Sequence, residues 1–475
     1  MSTDTPQPQP ADALDNSRHL RYWQRCLRTL LPHQYTANDS TRMMLGCFCV
    51  AAFDVLKGVI PPSDRTAFRS WVLACQHPGG GFVGGPTHAY PGSVYAGYDF
   101  GEKKVETGAP GEANIAATLF ALQLLALLST STEQSEGEGG GKRSEDPREG
   151  AFLGVNRNAT LRWLRRLQRE DGSFGEYVAD VPDPKAPGGR RPVVGGGADM
   201  RYCYIASMIR WMLGGGPHSD VPDIKVDALV RYMHRGQTYD GGFAESSTHE
   251  SHAGYAFCAI AALEMLSRPA EGDPTSSGDD LFARGIADRP ALLRWLGART
   301  FLYRPEIEED DDAEWQESIV TEVTPSDICS GSPLLGFNGR CNKHADSCYT
   351  WWTVASLAIL ERHGYGLGEE DSAWPAKRRF LLEKMQHHIG GFSKIPGGPP
   401  DIYHAYLSLA ALASQGESSL KTFDPATCIS QDTVQTIEAA RRGLLRGLGE
   451  GGQKRRADLL ELGKACWKKT AAVKA

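Results

Sequence analysis

The 475-residue chain has no excess of positive charge: 51 Lys and Arg stand against 58 Asp and Glu, a formal net charge of -7. That balance excludes a general attraction to nucleic acid or to an anionic membrane surface, so an anionic ligand must be met by a local cluster of cations. Long apolar runs are missing too. The most apolar stretch, IAATLFALQLLALL at 115–128, carries Gln123 and falls short of the ~20 residues a membrane span requires. The eleven cysteines are odd in number and follow no framework spacing, which fits a reducing compartment and excludes a disulfide scaffold. The opening MSTDTPQPQPADALDNS has no basic region followed by an apolar one, so it does not read as a secretory signal, and the expected location is the cytoplasm. Strand signals are almost absent, which argues against a sheet-based fold.

What is present is a repeated phrase. QHPGGGF (76–82), QREDGSF (168–174), QTYDGGF (237–243) and QHHIGGF (386–392) each set Gln six residues before Phe, with Gly or Gly-Ser ahead of the Phe. A fifth copy, LLGFNG (334–339), keeps only Gly-Phe. Stretches such as ATLRWLRRLQ before the phrase and HAGYAFCAIAALEML or DSCYTWWTVASLAIL after it carry apolar residues at helical spacing. The glycines are expected to cap one helix and turn the chain toward the next. A recurring unit that cannot bury its own apolar face must stack on its neighbours. The predicted fold is therefore all-α: an α/α barrel of helical hairpins around a central apolar cavity.

The expected domain organisation is a disordered segment over 1–18, the barrel over 19–413, and a helical tail of unreadable role over 414–475. Low-complexity stretches near 129–150, 179–197, 267–280 and 304–333 lack the composition of a packed core and read as surface insertions.

The chemistry concentrates in GFNGRCNKHADSCYTWW, residues 336–352. Arg340, Lys343 and Asp346 recur at steps of three, and Cys348 follows the acid by two. Gly336 and Gly339 suit a loop-to-helix junction, where Asp346 and Cys348 can converge on one ion together with a distant His, since carboxylate, thiolate and imidazole are all zinc ligands. On spacing alone, the ordinary alternative of an exposed acid and a buried thiol stays open. His404 opens an apolar helix one repeat later, at the same local position as Cys348, and His252 holds the like place in the repeat before.

The repeats and this motif together resemble the β subunits of the zinc-dependent protein prenyltransferases, over about residues 20–412. LRYWQRCLRTLLPHQYTANDSTRMMLGCFCVAAFDVL (20–56) and ADMRYCYIASMIRWML (198–213) are most similar to the type I geranylgeranyl branch. The resemblance implies one zinc on Asp346, Cys348 and His404, and a diphosphate-binding group of His252, Arg340, Lys343 and Tyr349. It implies an isoprenoid wall of Arg201, Tyr204, Gly254, Tyr255, Cys258 and Trp352, with Met44 and Leu407 at the far end. Lys394 matches the lysine with which type I enzymes dispense with magnesium; Tyr403 is a residue of the farnesyl branch. The implied activity is transfer of a C20 group from geranylgeranyl diphosphate to C-terminal CaaX cysteines, X mainly Leu, of Rho-type small GTPases, in an obligate heterodimer with an α subunit. A farnesyltransferase β subunit is the nearest alternative, and a non-catalytic toroid scaffold is the alternative of another class. A terpene-cyclase-like barrel would need an Asp-rich acid motif, which is absent.

Overall fold

Each Gln-to-Phe phrase closes on itself: Gln76 bridges Phe82, Gln168 Phe174, Gln237 Phe243 and Gln386 Phe392. These contacts are drawn from a computed structural model that describes residues 13–85, 112–129, 146–186, 189–216, 219, 221–268, 280–303, 333–366 and 373–445. The turns join helices α1 (Asn16–Arg28), α2 (Arg42–Val55), α3 (Pro62–Ala74), α4 (Ile115–Leu127), α5 (Arg157–Arg166), α6 (Met200–Met212), α7 (Val226–Gly236) and α8 (Ala253–Ser267). The short α9 (Leu281–Gly285) follows, then α10 (Arg289–Gly297), α11 (Cys348–Arg362), α12 (Trp374–Arg379, running on as a wider turn through Met385), α13 (Ile402–Ser414) and α14 (Gln431–Leu445). Helices α2, α4, α6, α8, α11 and α13 pack side by side in that order, and α13 returns to α2, so the ring closes. Helices α1, α3, α5, α7, α10 and α12 alternate with them in the chain and form the outer layer. The inner helices are apolar almost all round, as helices enclosed on every side must be. Outer ones such as α1 and α7 bury one stripe only.

The phrase has a mechanical role in every copy, because its glutamine holds the start of the next outer helix. The Gln76 side chain accepts from the Asn156 amide at 2.6 Å and donates to the Gly154 carbonyl at 2.9 Å. Gln168 brackets Lys225, and Gln237 brackets Asp288, through the same two bonds. In the last copy the Gln386 side chain accepts from the Asp15 amide and donates to the Ala13 carbonyl, each at 3.2 Å, which joins the final repeat to α1 and seals the ring. His19 adds to this seam: its Nδ1 accepts from the Gly391 amide, which leaves the Nε2 proton to donate to Gln386 at 2.9 Å.

The phrase glycines are not helix caps, contrary to expectation. Gly80, Gly172, Gly241 and Gly390 sit inside the turn at φ of +91 to +105°, where a Cβ would lie 2.0–2.5 Å from the backbone of the next outer helix. Close approach of two backbones sets the requirement, and only glycine meets it. In the fifth copy a hairpin of β3 (Thr300–Tyr303) and β4 (Leu334–Phe337) replaces the closed turn.

Three boundary expectations change. Order begins before residue 19, since Leu14 is buried and Asp15 caps α1. The stretch 179–197 is largely an antiparallel hairpin, β1 (Tyr177–Pro182) on β2 (Arg190–Gly195), with Val178 and Val181 buried. The residues after 413 are not a separate tail. A tight hairpin, β5 (Phe423–Asp424) and β6 (Ile429–Ser430), enters the ring from the C-terminal ends of the inner helices. The carbonyls of Ala426, Thr427 and Cys428 accept from Tyr204 Oη at 2.8 Å, Gln123 Nε2 at 2.9 Å and Tyr406 Oη at 2.6 Å. Asp424 accepts from Arg268 at 2.5 Å and Arg362 at 3.1 Å, while Lys421 and Ser430 both bond Asp54. The other expected insertion and tail segments, 1–12, 130–145, 269–279, 304–332 and 446–475, lie outside the described residues. Among the described residues no helix is long and apolar enough to cross a membrane.

Candidate metal centre and active site

Outer and inner helices alternate in direction, so the inner ones run parallel and present their N-termini at one rim. Side chains cap these ends: Asn114 for α4, Asp199 for α6, His252 for α8 and Asp401 for α13. A rim of helix N-termini offers unpaired N–H groups and the positive ends of aligned peptide dipoles, a setting for an anion.

Two adjacent repeats build the metal centre. The Ser347 amide donates to the Lys394 carbonyl at 3.0 Å, and Ser347 Oγ donates to the Ser393 carbonyl at 2.7 Å. These bonds tie the start of α11 to the turn ahead of α13. Asp346 then turns back to accept from the Cys348 amide at 2.9 Å, supplying the cap that Ser347 does not. His404 Nε2 reaches Asp346 Oδ1 at 3.2 Å, and its Nδ1 is 2.6 Å from Asp401 Oδ2. One ligand atom each from Asp346, Cys348 and His404 falls within 4.8 Å of the others, and among the described residues no other such group of three forms.

The electrostatics fit a cation. Burial alone would lower the His404 imidazole, but the Asp346 and Asp401 carboxylates outweigh it and lift it to about 9. Burial pushes the Cys348 thiol well up, and the Asp346 charge adds to this. A proton on His404 thus occupies the place of a positive ion between two carboxylates. Asp401 fixes the imidazole tautomer that turns Nε2 toward the cluster, as the outer partner of a metal-bound histidine does. The residues fit a divalent metal with three protein ligands.

The residues expected to meet a diphosphate lie on the neighbouring stretch of rim. His252 Nδ1 accepts from the Gly254 amide at 2.9 Å, so the ring carries its proton on Nε2, 3.1 Å from the Tyr349 hydroxyl. Burial, with Arg340 and Arg201 nearby, lowers His252 to about 4 and keeps it neutral. Arg340 pairs with Glu250 at 2.9 Å, and both side chains are substantially exposed, so breaking the pair costs little. Lys343 is exposed on the turn between Asn338 and Ala345. Lys394 Nζ is 4.0 Å from Asp346 Oδ2 and 62% exposed.

Below the rim, Tyr255 and Trp352 are partly exposed on their inner helices, as are Phe120 and Tyr403, which marks an inward-facing apolar mouth; Met44, expected at the far end, stands instead in the first turn of α2 and is also partly exposed. Arg201 is paired with Asp199 at 2.5 Å and lies over the Tyr255 ring at 5.9 Å. Gly254, Cys258, Tyr204 and Leu407 are buried, with Tyr204 committed to the Ala426 carbonyl.

The sequence reading missed Asp401 and gave Gly339 a place in the turn without its contact to Tyr349. Asp401 was legible as an acid three residues before His404 at a helix start. Gly339 has a steric role: a Cβ there would lie 2.0 Å from the Tyr349 ring, and its carbonyl accepts from the Ala253 amide at 2.9 Å.

Comparison with known proteins agrees with this architecture. A model of the prenyltransferase alpha-alpha toroid domain matches residues 14–429. The geranylgeranyl transferase type-1 subunit beta of Arabidopsis thaliana is 25% identical over 425 residues, covering 88% of this chain and 90% of its own. Its Dictyostelium discoideum counterpart is 24% identical over 430 residues, covering 88% and 96%. The protein farnesyltransferase subunit beta of Schizosaccharomyces pombe is 24% identical over 403 residues, covering 84% and 77%. A solved structure, Candida albicans protein geranylgeranyltransferase-I complexed with GGPP, shares the fold at a TM-score of 0.62 and 22% identity, over 90% of this chain and 98% of that one. With the toroid model spanning nearly the whole described ring, the chain belongs to the prenyltransferase α/α-toroid family.

Proposed function

We propose that this chain is the catalytic β subunit of a protein geranylgeranyltransferase of type I. It would transfer the C20 group of geranylgeranyl diphosphate to the cysteine thiol of CaaX C-termini, X mainly Leu, such as those of Rho-type small GTPases. The observation that carries the reading is the placement of the Asp346/Cys348/His404 group beside a cationic rim, at the mouth of an apolar ring. Zinc held by those three residues would lower the pKa of a substrate thiol, ordinarily about 8.5, and so supply a thiolate at neutral pH.

The remaining work belongs to the chain. The C1–O bond of the allylic diphosphate breaks as the S–C1 bond forms, and the diphosphate leaves with the electron pair. His252 donates from Nε2, Tyr349 from its hydroxyl, and Arg340 and Lys343 bring positive charge to the same stretch of rim. By analogy with oxyanion donors, each such group contributes about 2–4 kcal/mol to the transition state. Tyr255, Trp352 and Met44 supply apolar and aromatic surface for the isoprenoid.

Lys394 supports the type I branch. An ammonium at the rim supplies charge that a divalent ion would otherwise bring to the diphosphate, so magnesium is not required. Tyr403 favours the farnesyl reading, since its ring packs against His404 and Phe48, beside the site. An α subunit partner and a cytoplasmic location complete the proposal. The latter is supported by free thiols at Cys26, Cys47, Cys49, Cys75, Cys203, Cys258, Cys341, Cys348 and Cys428.

The test is prenyl transfer by the chain co-expressed with an α subunit. C20 and C15 diphosphates are offered against Leu-ended and Ser- or Met-ended peptides, with zinc and with or without magnesium. C20 transfer to the Leu peptide without magnesium is the expected result. Magnesium-dependent C15 transfer replaces the type I reading with the farnesyl one, and no transfer by a zinc-free complex leaves a scaffold.

A further inference from the structure

The hairpin 423–430 reaches far into the ring, and of its eight residues only Cys428 is partly exposed. Its electrostatic neighbours are Cys47 on α2 and Asp424 at the base of the hairpin, and Tyr204 on α6 and Tyr406 on α13 both feel its thiol. Burial pushes that thiol well above its ordinary range. A residue with accessible surface whose thiol is nonetheless enclosed by protein to this degree borders an internal space and not the outer surface.

An aromatic wall leads from the metal centre to this point. Tyr403 meets His404 at 5.1 Å between ring centroids, Phe48 meets Tyr403 at 6.3 Å and stacks on Tyr406 at 4.6 Å, and Tyr406 bonds the Cys428 carbonyl. The hairpin is also rigid. Three successive carbonyls are held by three inner helices, and Asp424 is held by two arginines. Cys428 itself is fixed at φ +55°. Added bulk at 428 is therefore taken up by the space above it, because movement of the hairpin would break buried bonds.

We propose that Cys428 is a specificity-determining residue, forming the floor on which the far end of the isoprenoid chain stops, so that this hairpin sets the longest chain accepted. The inference rests on the prenyl-transfer reading and extends it beyond the inner-helix positions Met44 and Leu407.

Two measurements on the heterodimer test it. The first uses the unaltered chain: methylthiolation by methyl methanethiosulfonate, which forms an S–S bond to the thiolate as methanesulfinate leaves, mapped by non-reducing peptide mass spectrometry with and without saturating lipid. Geranylgeranyl diphosphate should slow labelling of Cys428 about tenfold, farnesyl diphosphate much less, and Cys26 on the outer layer should be indifferent to both. The second is Cys428→Trp, which should lower the ratio of C20 to C15 kcat/KM about tenfold. The inference is overturned, with the function left standing, if the complex transfers lipid but Cys428 reacts at one rate throughout. An unchanged chain-length ratio in a folded Cys428→Trp overturns it equally. A wild-type complex that neither binds nor transfers either lipid overturns the prenyl-transfer reading, and the inference falls with it.

Discussion

Asp401 Oδ2 lies 2.6 Å from His404 Nδ1, and the same carboxylate caps the helix on which that histidine stands. One side chain thereby fixes both the backbone and the tautomer of a candidate metal ligand. Asp401→Ala should lower zinc affinity about 10–100-fold, read by competition with a chromogenic chelator. It should also cost about 1 kcal/mol of stability in urea unfolding through the lost cap. Asp401→Asn should keep most of the stability and still lose affinity, which separates the two roles.

Metal binding should depend on pH through His404. Its imidazole stands at about 9, above the ordinary 6.5, so a metal ion competes with a proton below that value. Zinc affinity should fall as pH drops from 9 toward 7, by up to about tenfold per unit from this group. In the metal-free protein the sign is opposite. The charged imidazole contributes stability that is fully present below about 6.5 and lost as pH rises through 9. Thermal unfolding of metal-free protein across this range checks it; a stability that rises with pH would contradict the assignment.

Gly339→Ala should act on catalysis with the metal retained. The new methyl would overlap the Tyr349 ring and displace its hydroxyl from His252. Displacement of about 1 Å in a reacting group can cost on the order of a hundredfold, so kcat should fall by about that factor at full zinc content. Equal loss of zinc and activity would point instead to collapse of the loop.

Gln386→Leu should weaken the seam between the first and last repeats. It leaves the Asp15 amide and the Ala13 carbonyl without their side-chain partner and removes the acceptor for His19. These three bonds are only partly buried, and at about 0.5–1.5 kcal/mol net each their loss should lower stability in urea unfolding by about 2–4 kcal/mol. Gln168→Leu, in an internal copy, should cost less, because covalent continuity still holds its two neighbours together.

The legible parts of this protein were those written in short local phrases. The four Gln-to-Phe motifs became four closed turns, and Asp346, Cys348 and His404 came together because each opens or precedes an inner helix at an equivalent place in successive repeats. The hairpin after residue 422 carries no such phrase. Ala426, Thr427 and Cys428 acquire their role only through Tyr204, Gln123 and Tyr406, which are distant in sequence for two of the three. The same holds for β1 and β2, whose valines read as loop until they pair. The phrase glycines misled for a related reason: their constraint comes from the backbone of another repeat, which no local pattern contains.

The seam has a consequence for biosynthesis. Because Gln386 must find Ala13 and Asp15, a nascent chain leaving the ribosome is an open crescent until almost 400 residues have emerged. Through that interval the flank of α2 that receives α13 stays uncovered, and such unpaired apolar surface is what chaperones shield. The candidate metal ligands come from α13 and the residues at the start of α11, so their cluster is completed among the last events of synthesis. A newly made chain thus carries uncovered apolar surface long before Asp346, Cys348 and His404 can meet.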